Sequence, residues 1–155
     1  MSYMKEALEL ATQAAAIDEV PVGAVIVRKH TIIAKAYNLR ESDQCATSHA
    51  EIIAIRQACT HLKSWRLTDC HLYVTLEPCL MCSGAIIQSR LPFVTYAAKD
   101  PKGGAMGSLY SLHMDDRLNH QPEVISGEHE EESSQLLRHF FQKKRQQQKN
   151  KPSMC

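Results

Sequence analysis

Two short motifs, each at the start of a predicted helix, constrain the fold of this chain more than any other feature. His49-Ala50-Glu51 opens a segment with apolar residues at helical spacing to about Leu62, and Pro78-Cys79-Leu80-Met81-Cys82 opens another. The second motif directly follows the apolar run 72–76, which predicts a strand, a turn and a helix in succession. We therefore expect short strands to alternate with helices in this chain.

The other segments continue this alternation. Residues 38–48 are polar without a period and predict a loop, and the glycine-rich residues 100–108 predict a shaped loop. Helices alternating with strands in one domain predict an α/β sandwich with helices on both faces of the sheet. The remaining elements predicted are an amphipathic helix over 2–17, an antiparallel hairpin of 20–28 and 31–37, a strand over 93–98, a weak strand over 123–125 and a final helix from about Glu130.

The composition bounds the class of protein. A chain of 155 residues with 44% hydrophobic and 23% charged residues is typical of one soluble domain with a real core. No apolar run reaches the roughly 18 to 20 residues of a membrane span, and the first ten residues lack the pattern of a signal peptide. Six cysteines are too few for a disulfide scaffold. We expect a cytoplasmic protein with reduced cysteines and no membrane partner.

The two motifs together carry the ligand types of a metal site. Cys79 and Cys82 lie three residues apart on the first turn of a predicted helix, so their thiols face the same way, and the helix N-terminus stabilises thiolates. His49 adds a nitrogen, and a His/Cys/Cys set suits zinc. Three protein ligands leave a fourth position for water, which is typical of a catalytic rather than a structural zinc site.

Glu51 supplies the group that such a water needs. It follows His49 by two residues, so it is placed within reach of the water without being an equivalent ligand. A carboxylate there is expected to take a proton from the water and deliver it to a ring nitrogen and then to a leaving amine. The combination of H-x-E with P-C-x-x-C is the signature of zinc deaminases that act on nucleobases.

Other interpretations of the same residues stay open at this point. A C-x-x-C pair alone is also typical of a redox dithiol or of a structural zinc pair, and Cys45 could close the site as a fourth ligand. The rival functions are therefore a deaminase of free bases or nucleosides, an RNA-binding module with structural zinc, and a thiol oxidoreductase.

Most of the chain resembles the bacterial tRNA-specific adenosine deaminase family, within the cytidine-deaminase-like superfamily. The 99–109 and 139–145 blocks resemble the tRNA-acting branch in particular. One departure is Cys45-Ala46-Thr47-Ser48, where the family often has Asp-Pro-Thr-Ala, which leaves the shape of the loop entering the site open. The matching segments are EVPVGAVIV at 19–27, Asn38, HAE at 49–51, LYVTLEPCLMC at 72–82, KDPKGGAMGSL at 99–109 and HFFQKKR at 139–145.

The resemblance implies a three-layer α/β/α sandwich with a mixed five-stranded sheet, a homodimer, and conversion of the wobble adenosine of an arginine tRNA anticodon to inosine. It implies one zinc ion per subunit on His49, Cys79 and Cys82, with Glu51 as the proton shuttle. It also implies a set of substrate-binding residues: Asn38, Val22 and Pro78 at the flipped base, Asp100 and Lys102 near the anticodon backbone, and Phe140, Phe141 and Arg145 on a C-terminal helix that grips the tRNA loop.

The distribution of charge agrees with a local contact to RNA. The formal net charge is +1, yet residues 140–155 carry five cationic side chains and no acidic one, so residues 1–139 sum to −4. This predicts local phosphate contacts rather than a broad basic surface. We expect a deaminase domain over 1–146, including the C-terminal helix, followed by a basic frayed tail over 147–155.

Overall fold

The computed structural model describes residues 2–150 of the chain. It has one five-stranded sheet, five α-helices and a 3-10 turn at Leu112–Met114. In chain order the elements are α1 (Tyr3–Ala16), β1 (Gly23–Arg28), β2 (Thr31–Tyr37), α2 (Arg40–Asp43), α3 (Ala50–Leu62), β3 (Cys70–Leu76), α4 (Leu80–Gln88), β4 (Phe93–Ala98), β5 (Glu123–Ser126) and α5 (Glu130–Lys149).

The sheet combines antiparallel and parallel pairs in the order β2-β1-β3-β4-β5. Strand β1 pairs antiparallel with β2 and with β3, whereas the β3–β4 and β4–β5 pairs are parallel. The predicted hairpin and the mixed five-stranded sheet are thus confirmed. Parallel neighbours require a crossover between them, and α4 is the crossover from β3 to β4.

Helices cover both faces of the sheet. Successive side chains of a strand point to opposite faces, and in β1 Ala24 and Ile26 pack into the main core with α3, whereas Val25 packs on the other face with Leu10 of α1. Helix α1 lies unusually close to β1, because a Cβ on Gly23 would come within 2.0 Å of the Ala7 carbonyl oxygen. The predicted three-layer α/β/α sandwich is confirmed.

The prediction of a loop over residues 38–48 is wrong in part, because this segment contains the short helix α2. The Glu19 carboxylate, 1% exposed, accepts hydrogen bonds from the backbone N–H groups of Glu41 at 3.1 Å and Ser42 at 2.6 Å. It also accepts one from the Ser42 hydroxyl at 2.6 Å. Free N–H groups of the first turn of α2 thus gain a partner. Glu19 is remote in sequence, so the pattern of residues 38–48 alone could not reveal it.

We expect Glu19→Gln to lower the free energy of unfolding at pH 7 by about 1–3 kcal/mol, since one amide oxygen cannot accept all three bonds. Burial raises the pKa of the Glu19 carboxyl, but the hydrogen bonds from Ser42 and Glu41 outweigh it, so the pKa lies below its usual 4.5. A lowered folded-state pKa means that the stabilisation is present above the unfolded pKa and is lost as pH falls through the folded pKa. Denaturation by urea at pH 7 and near pH 4 should therefore show a smaller loss at the lower pH.

The exposed Glu9 on α1 provides the matched control. Glu9→Gln should leave the free energy of unfolding within about 0.5 kcal/mol of wild type, as is usual for surface substitutions. An equal loss for Glu19→Gln at both pH values would contradict an ionised carboxylate in this role.

Helix α5 extends to Lys149, beyond the predicted end of the domain at residue 146. The tail expected over 147–155 lies partly within this helix, and its residues 151–155 lie outside the described part of the chain. The boundary between domain and tail stays a prediction. Within residues 2–150, no helix is both long and apolar enough to cross a membrane.

Candidate active site

His49, Cys79 and Cys82 meet where helices α3 and α4 begin. His49 is the N-cap residue of α3 and Cys79 that of α4, and neither side chain caps its own helix. The His49 Nδ1 atom lies 3.7 Å from Cys79 Sγ and 3.6 Å from Cys82 Sγ. All three ligand atoms lie within 4.8 Å of one another. The fold thus brings together the three predicted ligands from two motifs that are separate in sequence.

These distances fit a tetrahedral metal ion. Bonds of about 2.3 Å from zinc to sulfur and about 2.0–2.1 Å to nitrogen, at a tetrahedral angle, place the two ligand atoms roughly 3.6 Å apart. The Cys79 thiol is prepared as a ligand, because hydrogen bonding to Cys82 and to His49 lowers its pKa to about 4 despite burial. Hydrogen bonding to Cys79 raises the pKa of Cys82 in turn. The donor set and its spacing therefore suit zinc.

Glu51 lies on the first turn of α3 and is 4% exposed. Burial, the largest cause, raises the pKa of its carboxyl to about 7, and the negative charge of Cys79 adds to this effect. Glu51 lines the same cavity as His49 and Cys79. A buried carboxyl group thus stands beside the ligands, as the motif predicted.

The cavity at this site has a volume of about 750 Å³, which is large enough for a nucleobase with its sugar. Its walls include the segment before β1, the residue that follows β2, the loop after β4 and helix α5. The predicted residues that line it are Val22, Asn38, His49, Glu51, Cys79, Asp100, Phe140 and Phe141.

Four other predicted residues lie outside the wall of this cavity. Cys82 is fully buried. Pro78 is buried too, and its carbonyl oxygen accepts a hydrogen bond from the Ala105 N–H at 2.8 Å. Lys102 and Arg145 are exposed. The substrate-binding roles stay predictions, both for the residues in the cavity wall and for Pro78, Lys102 and Arg145 outside it.

Asn38 connects the cavity to helix α3. Its side-chain Oδ1 accepts a hydrogen bond from the Ala50 N–H at 2.7 Å, and its own N–H donates to the Val22 carbonyl oxygen at 3.1 Å. With Oδ1 engaged, the amide Nδ2 has no acceptor within residues 2–150 and is the group left for a ligand in the cavity.

Residues 45–48, which depart from the family pattern, pack against α2. Leu39 N–H donates to the Ser48 carbonyl oxygen at 3.0 Å, and the Ser48 hydroxyl donates to Asp43 at 2.9 Å. Cys45 is exposed, with its sulfur 3.2 Å from the Thr47 hydroxyl oxygen. It lies outside the group of three ligands, which argues against the fourth-ligand alternative.

Sequence reasoning missed several charged residues of the cavity wall, among them Glu19, Arg40, Glu77 and Lys144. Lys144 forms an ion pair with Asp18, which ties α5 to the segment after α1. Glu19 and Glu77 stand inside segments quoted for the family resemblance, but their hydrogen-bond partners lie 22 to 31 residues away along the chain. An acidic residue among apolar ones was the only signal available, and it did not identify a partner.

Comparisons with known proteins agree with this geometry. Residues 1–145 match the MafB19-like deaminase family model. The tRNA-specific adenosine deaminase of Bacillus subtilis is 52% identical over 125 residues, which cover 81% of this chain and 78% of that protein. The corresponding protein of Haemophilus influenzae is 47% identical over 125 residues, covering 80% and 72%.

Comparison with solved structures also gives tRNA adenosine deaminases. A structure from studies of A-to-I editing by tRNA:A34 deaminases at the wobble position of transfer RNA is 44% identical and superposes with a TM-score of 0.85, covering 87% of this chain and 98% of that one. A guanine deaminase from Bacillus subtilis is also 44% identical, but with a TM-score of 0.61 over 63% and 62%. The chain therefore belongs to the MafB19-like deaminase family and, within it, to the tRNA-specific adenosine deaminases.

Proposed function

We propose that this protein is a zinc-dependent hydrolase that converts adenosine to inosine at the wobble position of a tRNA anticodon, with arginine tRNA as the substrate. The observation that carries the proposal is the meeting of His49, Cys79 and Cys82 beside the buried carboxyl of Glu51 in one cavity. The Bacillus subtilis relative, matched over 78% of its length, is a tRNA-specific adenosine deaminase, and the structure covered to 98% comes from studies of tRNA:A34 deaminases, which supports adenosine in tRNA as the substrate. Because the substrate is tRNA, we expect the protein to act in the cytoplasm.

The net reaction adds water to adenosine and releases ammonia. A C–O bond forms at C6 of adenine and the bond from C6 to the exocyclic nitrogen breaks. Zinc held by the three ligands would supply a water that is acidic enough to act as a nucleophile near neutral pH. Glu51 would take one proton from this water and pass it to ring N1. It would then take the second proton from the oxygen now bound to C6, which becomes the carbonyl oxygen of inosine, and pass it to the departing nitrogen, which leaves as ammonia.

The cavity wall supports recognition of an extruded base. Val22 provides an apolar surface, and the free Nδ2 of Asn38 can donate to a ring nitrogen or sugar oxygen. Phe140 is 8% exposed at the cavity and Phe141 43%, so a partly exposed aromatic ring is available at the rim for the RNA loop. An anticodon loop presents unstacked bases, which lowers the cost of bringing one into the cavity.

The experiment that tests the proposal compares RNA with free compounds. Zinc-loaded protein is incubated with an arginine anticodon stem-loop carrying adenosine at the wobble position, and inosine formation is measured. Free adenosine, guanine and cytidine are assayed in parallel, and a stem-loop with the adenosine moved one position is the matched control. We expect inosine only in the wobble-adenosine stem-loop. Turnover of the free compounds alone would overturn the proposal in favour of a free-base deaminase, the activity of the guanine deaminase from Bacillus subtilis.

A homodimer with one zinc ion per subunit is part of this proposal. Large apolar side chains are exposed at the start of α4 and in the segment that follows β4, which supports contact with a second copy of the chain. They are Leu80, Leu109, Tyr110 and Met114. Light scattering should give the mass of two chains, and Met114→Glu should shift the protein toward the mass of one.

A further inference from the structure

Glu77 is a buried acid between strand β3 and the zinc ligand Cys79. It is 2% exposed, and its carboxylate accepts four hydrogen bonds. Oε1 accepts from the Asp100 N–H at 3.1 Å and from the Ser108 hydroxyl, and Oε2 accepts from the Met106 N–H at 3.1 Å and the Ser108 N–H at 3.0 Å. All four donors belong to residues 99–108, which we call the 99–108 loop.

The loop is wrapped closely around this carboxylate. A Cβ on Gly104 would lie 2.2 Å from the Glu77 carboxylate carbon, so only glycine allows the approach. The Ala105 N–H donates to the Pro78 carbonyl oxygen at 2.8 Å, which fastens the loop to the segment that begins α4. Within residues 2–150 no ion pair involves Glu77, so loop N–H and O–H groups alone satisfy its carboxylate. Such a buried acceptor set specifies one loop conformation.

The loop in turn shapes the cavity rim. Asp100 donates its N–H to Glu77 and lines the cavity with its half-buried side chain. The Asp100 Oδ1 accepts from the N–H groups of Lys102 and Gly103, each at 3.1 Å. The position of Asp100 and the turn that carries Lys102 are therefore set through hydrogen bonds that start at Glu77.

We propose that Glu77 is a positioning residue for RNA recognition, whose carboxylate holds the 99–108 loop so that Asp100 and Lys102 meet the anticodon loop. This inference rests on the proposed function. The base-contacting wall formed by Val22 and Asn38 lies on other elements. Loss of the Glu77 carboxylate should therefore weaken binding of the RNA substrate more than it slows the chemical step.

The test measures KM and kcat on the wobble-adenosine stem-loop together with zinc content. Glu77→Gln places an amide NH₂ against a donor, so it should raise KM by about fivefold or more with kcat within about threefold, as expected when one buried acceptor is lost. Zinc should stay near one per chain. Ser108→Ala, which removes one donor away from the zinc ligands, should change KM in the same direction by a smaller factor.

A double-mutant cycle separates positioning from general damage. If Glu77 acts through Asp100, the rise in KM caused by Glu77→Gln should largely disappear in an Asp100→Ala background. Glu19→Gln is the matched control, because Glu19 is equally buried and holds α2 through three hydrogen bonds without sharing a partner with Asp100. Glu19→Gln should therefore change KM by the same factor in the wild type and in the Asp100→Ala background.

Three results would overturn the inference. One is a fall in kcat at unchanged KM in Glu77→Gln. Another is a rise in KM caused by Glu77→Gln that is as large in the Asp100→Ala background as in the wild type. The last is an unchanged KM in a zinc-loaded Ser108→Ala variant, which decides the matter if Glu77→Gln loses zinc. If the wild type fails to act on the stem-loop at all, the proposed function is overturned and this inference with it, so the two failures are distinguishable.

Discussion

Glu51→Ala is expected to lower kcat for deamination of the stem-loop by at least about 10²-fold, the lower range for loss of a general acid–base group. The variant should still bind zinc and RNA, because His49, Cys79 and Cys82 are retained and Glu51 is not one of the three ligands. Single-turnover rates, metal content and stem-loop affinity, measured on one preparation, check all three expectations.

Glu51→Gln is the control for this experiment. It preserves the size and burial of the side chain but cannot take up a proton at neutral pH, so it should be as slow as the alanine variant. A glutamine variant with wild-type turnover would contradict the proton-shuttle role. A wild type that binds zinc and RNA without deaminating any compound would favour the RNA-binding module with structural zinc instead.

Cys82→Ala is expected to abolish deamination together with zinc binding, because it removes one of three ligands that the chain supplies. Cys70→Ala is a matched control, since Cys82 is 0% and Cys70 1% exposed and each substitution removes a buried thiol. In the metal-free proteins both substitutions should cost a similar amount of stability, about 1 kcal/mol, as is common for core substitutions. With zinc present, Cys82→Ala should lose more, because it also loses the stabilisation that a bound metal gives to the folded state. Only Cys82→Ala should lose the metal.

Metal analysis by mass spectrometry and the inosine assay check this pair of variants. Removing zinc from the wild type with a chelator should abolish activity, and adding zinc back should restore it. Full activity in Cys82→Ala, or in the chelated protein, would contradict the zinc site. A wild type that carries a redox-active Cys79–Cys82 pair without stoichiometric zinc would favour the thiol oxidoreductase.

The parts of the fold predicted best from sequence were those with local, periodic signals. The strand over 93–98 and the start of α5 at Glu130 agree with the structure. The predicted strand boundaries were less accurate where pairing with a neighbouring strand decides the first residue. Strand β1 begins at Gly23 rather than Val20, and β3 begins at Cys70 rather than Leu72. Helix α4 begins at Leu80, because Cys79 keeps an extended backbone as its N-cap. Each difference arises from pairing or capping, which depends on context.

By itself the sequence determined the chemical character of the protein. The types and spacing of His49, Glu51, Cys79 and Cys82 were enough to predict a metal site with an adjacent carboxyl group, because each motif spans a single helical turn and its geometry is local. Only the tertiary structure decided which residues form the cavity and its rim. It placed Asp100 and Phe140 there and left Lys102 and Arg145 outside. It also showed that Glu19 holds helix α2 and that Glu77 holds the 99–108 loop. The physical reason is that the structural role of a buried carboxylate depends on which hydrogen-bond donors surround it. These donors come from segments at least 22 residues away in the chain.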